Sequence, residues 1–224
     1  MNIFQRIWNF FFKPKEQPVI SNPTPVAPTN PSMGGTQPKP EQGSTRFFDK
    51  NKKFLINSKV LELTKHFEGF EPIARDDGYG TPTIGYGRIN YPDGRKVRNG
   101  DRCTEAEAQV WLMSDLYDEG AKYVRSFLKD EVENNLTDDE FSVWVDLTFN
   151  RGAGRFRDYI AGYLNQGNKT GALASLVTVN TAAGRYSLGL DRRRWAERYI
   201  LEGKDWKVFK DLNAFVAFKN RGYK

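Results

Sequence analysis

Apolar residues recur at helical spacing through Val60, Leu63, Thr64 and Phe67, with Asn57 or Ser58 ahead of them as a cap and Gly69 behind them as a stop. That pattern predicts a helix closing on Glu68. Two capping boxes predict further helices. Thr104-Glu-Ala-Glu107 opens one running to about Leu128, with Ala108, Trp111, Leu112 and Leu116 turned inward, and Thr137-Asp-Asp-Glu140 opens another that turns Phe141, Trp144, Val145, Thr148 and Phe149 inward. Aromatic stripes of this kind are read as core. Another helix is expected to begin at Arg192–Arg194, just after Gly189-Leu190, and to end near Leu201 to Gly203. Between Ile73 and Val97 the period changes. Gly, Pro and Asp punctuate the chain, and Thr83-Ile-Gly-Tyr and Tyr91-Pro-Asp-Gly94 read as a small antiparallel ribbon. A small sheet followed by many helices is α+β.

The ends carry different patterns. Residues 1–15 place Phe4, Ile7, Trp8, Phe11 and Phe12 at helical spacing, with Arg6, Lys13 and Lys15 nearby. This stretch is too short to span a bilayer, which takes about 20 apolar residues. It is also a poor cleavable signal, because Arg6 and Asn9 interrupt the apolar run and Lys-Pro-Lys stands where small residues belong. It is expected to be an interfacial anchor on a membrane or a docking segment for a partner, with an uncleaved, atypical export segment as the alternative. Residues 16–50 are expected to be a disordered linker: from Pro14 to about Ser44 the chain holds eight of its eleven prolines and almost nothing apolar. Residues 51–204 then form the globular domain. In 205–224, Trp206, Phe209, Leu212, Phe215 and Val216 recur among Lys207, Lys210, Lys219 and Arg221, the pattern of a terminal helix packed on that domain, with a basic envelope-contacting helix as the alternative.

Composition narrows the chemistry. The 224 residues allow one domain of ordinary size plus extensions. A net charge of +6 implies an acidic partner: nucleic acid, an anionic membrane or an anionic envelope. A single Cys103 and a single His66 cannot fill a protein-only zinc site, and Cys103 cannot form an internal disulfide. His66 is expected on the helix surface. A Ser-His-Asp arrangement would need that one His, and no nucleophile-elbow sequence accompanies it.

The informative segment is Glu68-Gly-Phe-Glu-Pro-Ile-Ala-Arg-Asp-Asp77-Gly-Tyr-Gly80-Thr-Pro-Thr83-Ile-Gly-Tyr-Gly87. Glu68 closes a helix, where the negative end of the helix dipole disfavours ionisation and suits a group that must still carry a proton near neutral pH. Asp77, followed by Gly78 and Gly80, sits in a turn where water and backbone N–H groups keep it charged. Two acids pushed in opposite directions make an acid/base pair. Asp76 competes with Asp77 by adjacency and is read as a turn residue. On propensity alone, Thr83 is an ordinary strand residue.

A Glu, an Asp nine residues on, a Thr six further and then Ile-Gly-Tyr-Gly resemble the phage-type lysozymes (endolysins), glycoside hydrolase family 24. Leu136-Thr-Asp-Asp-Glu-Phe141, Phe149-Asn-Arg-Gly-Ala-Gly154-Arg-Phe156 and Gly189-Leu-Asp-Arg-Arg-Arg-Trp-Ala-Glu197-Arg198 match the same family in the same order, over roughly residues 55 to 203. The resemblance implies a lysozyme-like fold, with the ribbon and a mainly helical lobe flanking a cleft. It also implies a muramidase, needing neither metal nor cofactor, that cleaves the β-1,4 bond between N-acetylmuramic acid and N-acetylglucosamine in peptidoglycan. Glu68 would protonate the leaving oxygen, while Asp77 and Thr83 would hold a water for attack on the opposite face. The two carboxyls would then stand about 6.5–9.5 Å apart and the reaction would invert. Tyr86, Arg88 and Arg193 take substrate-binding or supporting places. Arg193 stands for the family arginine that pairs with the catalytic Glu, and Arg88 departs from the His that members commonly carry. A run of arginines such as 192–194 is otherwise a solvated basic face.

The charge then fits an anionic wall polymer, and the lack of base-stacking or phosphate-loop motifs argues against nucleic acid. The catalytic head is expected to be monomeric. It would reside in the host cytoplasm or on the inner membrane and act in the periplasm, or else travel in the virion, with residues 1–15 touching membrane, virion or partner protein. Two other classes stay open: a lytic transglycosylase, which would not need the water-holding Asp and Thr, and a non-catalytic peptidoglycan-binding or virion structural protein.

Overall fold

The computed structural model describes residues 55–76 and 80–223. The aromatic segment expected at 1–15, the linker expected at 16–50 and Asp77 lie outside the described residues. Those described form two compact units, Glu68–Leu112 and residues 55–67 with 113–223. Among them no helix is long and apolar enough to cross a membrane. The architecture is mostly helical with a small antiparallel sheet, the α+β class expected.

In the first unit, β1 (Glu71–Asp76) and β2 (Pro82–Gly85) pair antiparallel, with Glu71 opposite Gly85, Arg75 opposite Thr83 and Asp76 opposite Pro82. The register shifts between Glu71 and Arg75, so the ribbon is irregular there. The chain then folds back through bridges pairing Ile84 with Arg88, Asn90 with Lys96 and Ile73 with Arg102. The Tyr91–Gly94 turn closes with Gly94 N–H donating to Tyr91 O at 2.9 Å, as the Tyr-Pro-Asp-Gly signal predicts. Ala74, Ile84 and Val97 are buried together, and Tyr91, Cys103 and Trp111 pack against them. The unit ends in α2 (Glu105–Asp115), whose capping box is formed: Thr104 Oγ1 accepts from Glu107 N–H at 3.2 Å, and Glu107 Oε2 accepts from Thr104 N–H at 2.8 Å.

Helix α1 (Ser58–Glu68), which belongs to the second unit as far as Phe67, is capped by Asn57 Oδ1, which accepts from Lys59 N–H at 2.8 Å. Val60, Leu63, Thr64 and Phe67 are its buried face, and Gly69 ends it at φ 74°. His66, expected on the surface, is half-buried, with its ring 5.9 Å from Trp206 and 5.2 Å from Phe67. Burial, then the charges of Arg192 and Lys210, hold its pKa below the ordinary value.

Regular helix was expected from Thr104 to about Leu128. Instead, Leu116–Ala121 is π-helical before α3 (Lys122–Phe127) resumes. Gly120 lies in that stretch with Val145 so close that a Cβ on it would stand 2.8 Å from Val145 Cγ1. After α4 (Asp130–Asn134), the centre of the unit is α5 (Asp138–Arg151), opened by the expected capping box and buried on every side from Phe141 to Asn150. Short turns follow: α6 (Ala153–Phe156), a second π-helical stretch (Arg157–Ala161), α7 (Gly162–Asn165), α8 (Lys169–Leu176) and a hairpin of β3 (Thr181–Ala182) with β4 (Arg185–Tyr186).

Helix α9 (Leu188–Leu201) starts four residues before the arginines, because Ser187 Oγ accepts from Leu190 N–H and supplies the cap. A 3₁₀ turn (Trp206–Phe209) and α10 (Leu212–Asn220) complete the unit, burying Trp206, Phe209 and Phe215. Phe218 stands edge-on to Trp195, Tyr199 and Phe209 at centroid distances of 5.0, 5.9 and 5.0 Å.

Candidate active site

Glu68 is the last residue of α1, half-buried, with the left-handed Gly69 turning the chain into β1. Its place at a helix C-terminus is the one the dipole argument requires. Thr83 is buried in β2 opposite Arg75. The first unit thus holds both residues, one at a helix end and the other in the ribbon it leads into. Asp76 Oδ1 accepts from Gly80 N–H at 2.9 Å, the local bond of a turn-forming Asp.

Tyr86 and Arg88 are built into the same unit by their polar ends. The Tyr86 hydroxyl donates to Glu105 Oε1 at 2.9 Å on the first turn of α2, and its ring lies 5.7 Å from Phe70. Arg88 Nη1 donates to Trp111 O at 3.1 Å, while its Nε donates to Asn90 O. Arg88 therefore ties the turn after β2 to the backbone of α2, a fork of donors that a His at this position does not supply.

Arg193 lies in the second unit, at the heart of a buried charge cluster. Its Nη2 donates to Asp146 Oδ1 at 2.7 Å and its Nε to Asp146 Oδ2 at 3.0 Å, a bidentate pair from which solvent is excluded on both sides. Glu197 stands 3.7 Å from Arg193 Nε and takes a close hydrogen bond from Arg194 Nη2, which also donates to Asn150 Oδ1 at 3.1 Å. Burial drives the Asp146 pKa up, but the charge and hydrogen bonds of Arg193, helped by hydrogen bonding such as that from Thr64, outweigh it and hold the group below the ordinary carboxylate range. Burial drives Glu197 well above that range, with Asp146 adding to the Glu197 shift.

The arginine run is thus no solvated face: Arg192, Arg193 and Arg194 are all buried. Asp146 and Glu197 were missed in the sequence, although Asp146 stands alone among apolar positions of α5 and Glu197 follows Arg193 and Arg194 at the four- and three-residue spacings of helix ion pairs.

The phage lysozyme family model matches residues 65–197, which contain the helix end, the ribbon and this cluster. The chain belongs to the phage lysozyme family. Solved structures agree. The endolysin from Escherichia coli O157:H7 phage FAHEc1 is 33% identical, with a TM-score of 0.58 over 66% of this chain and 92% of that one. A P22 lysozyme mutant is 27% identical, with a TM-score of 0.56 over 65% and 96%. The muramidase domain of SpmX from Asticaccaulis excentricus is 27% identical, with a TM-score of 0.55 over 65% and 95%. Comparison with curated protein sequences gives no match.

The fold of this phage lysozyme is accordingly lysozyme-like, and the protein is a glycosidase that hydrolyses peptidoglycan. Among the described residues no group of three or more His, Cys, Asp or Glu side chains gathers as a metal would need.

Proposed function

We propose that the enzyme cleaves the β-1,4 bond between N-acetylmuramic acid and N-acetylglucosamine with inversion. Glu68 is the general acid that protonates the leaving oxygen, and Asp77 is the base that, with Thr83, holds and activates the attacking water. The observation that carries the reading is the family match, whose span includes all three residues at the spacings read from the sequence. The position of Glu68 at the C-terminus of α1 supports the acid role, since the dipole there favours the protonated form. Arg88 and Tyr86 act as supports of the ribbon, consistent with their bonds to α2.

Residues 1–15 anchor the enzyme at a membrane surface and residues 16–50 tether the head to it. The enzyme then acts in the periplasm from the inner-membrane side of the host.

The test is digestion of purified peptidoglycan, with mass spectrometry of the products and NMR of the first-formed anomer. The expected products are reducing N-acetylmuramic acid ends released as the α-anomer. Glu68→Gln and Asp77→Asn should each lower the rate by about 10²–10⁴-fold, the usual contribution of a general acid or base. Products ending in 1,6-anhydro sugars would make the enzyme a lytic transglycosylase. Binding to the wall without release, unchanged in Glu68→Gln, would make it a binding protein.

A further inference from the structure

Thr64 lies one turn before Glu68 on α1, and in a helix residues four apart share a face. Its hydroxyl has one proton and two acceptors in reach, Val60 O at 2.9 Å and Asp146 Oδ1 at 2.6 Å. The shorter contact is to a charged oxygen, so the proton goes to Asp146. That carboxylate is in turn held by both arms of Arg193, whose guanidinium carbon stands 5.7 Å from the centre of the Phe67 ring, the residue before Glu68. The last turns of α1 are therefore pinned in rotation at two places by one buried acid and its arginine.

We propose that Asp146 is a positioning residue for Glu68, fixing the helix that carries it through Thr64 and Arg193. The inference rests on Glu68 being the acid. Burying an ion pair is weak evidence of a stabilising role, since apolar residues of similar volume often do as well or better. What an apolar replacement cannot do is set the rotation of a helix by hydrogen bonds of fixed direction. The groups facing Asp146 are Thr64 of α1 and Arg193 and Glu197 of α9, with Arg194 bonded to Glu197.

Asp146→Asn tests this with a readout that a purely structural role would not move. It removes one negative charge, leaving Arg193 uncompensated, and the more positive surroundings favour ionisation of a carboxyl on the helix that Thr64 ties to it. The alkaline limb of the rate profile, where the general acid loses its proton, should move to lower pH. With that shift, kcat should fall about tenfold or more while KM stays within about twofold, the signature of lost alignment. Thr64→Val keeps the charge and loses the hydroxyl, so kcat should fall several-fold with the alkaline limb in place, and Thr64→Ser should restore it.

If both variants melt at lower temperature but keep the kcat and the alkaline limb of the parent, the inference is overturned. If Asp146→Asn does not fold, the Thr64 pair decides, and equal kcat for Thr64→Val and the parent overturns it. Glu68→Gln run in parallel separates the two claims: full activity in that variant removes the acid assignment itself, whatever Thr64 does.

Discussion

At the scale of single residues, the cluster around Arg193 sets the energetic stakes. Asp146, Arg193, Arg194 and Glu197 are all withdrawn from water, so each is tolerable only with its partners in place. Asp146→Ala should cost about 3–5 kcal/mol, because it strands a buried arginine; urea unfolding at pH 7 checks it. The two acids pull pH dependence in opposite directions. Asp146 is held below its ordinary value of about 3.9, so its contribution is full above that pH and is lost as pH falls through the folded value. Glu197 is held above its ordinary value of about 4.3, so its contribution is full below that pH and is lost as pH rises from there through the folded value. Glutamine mimics the protonated acid and has no proton to lose. The stability of Glu197→Gln relative to the parent should therefore grow as pH is raised from about 4 to 8. A difference in melting temperature that stays flat across that range would mean that Glu197 carries no extra proton. From spacing alone the arginines read as a run of charge, and only the family resemblance singled out Arg193, since spacing within one helix does not tell which side faces Asp146 on another.

At the scale of elements, the sequence was most readable where local chemistry decides the outcome. The apolar face of α1, its Gly69 stop and both capping boxes formed as their residues dictate. The π-helical stretch at Leu116–Ala121 left no such signal. It is a change of hydrogen-bond register within an unbroken helical pattern, in a stretch where Gly120 meets Val145 at close quarters. Position 85 shows how the ribbon is fixed in its own unit. Gly85 has φ 66°, and a Cβ added there would stand 2.9 Å from the Cβ of Ala108 on α2. Gly85→Ala thus meets both a left-handed backbone and a backbone-borne neighbour, and should destabilise by about 1–3 kcal/mol. Activity should fall with it, since Gly85 is two residues from Thr83. A thermal melt unchanged from the parent would show that the ribbon can shift to make room.

At the scale of the whole molecule, the two ends of the chain should differ in what their removal does. Trp206, Phe209 and Phe215 are each at most 2% exposed, and Lys207 and Lys210 reach Glu62 on α1 at 3.1 and 2.9 Å. Cutting back a buried Phe or Trp to Ala costs about 3–5 kcal/mol. Three such losses at once would consume a total stability of about 5–15 kcal/mol, whereas the exposed lysine pairs contribute little. A chain ending at Lys204 should fail to melt cooperatively, and circular dichroism on the truncated protein checks this. Removing residues 1–50 takes away an aromatic segment and a proline-rich stretch that lacks the apolar residues to build a core. That variant should melt with the parent and clear isolated peptidoglycan at the parental rate. Its sedimentation with vesicles containing anionic lipid should drop, and more steeply in low salt, where the basic residues of 1–15 count most. Equal sedimentation of the two proteins would move the membrane contact away from the N-terminus and leave the basic C-terminal helix to supply it.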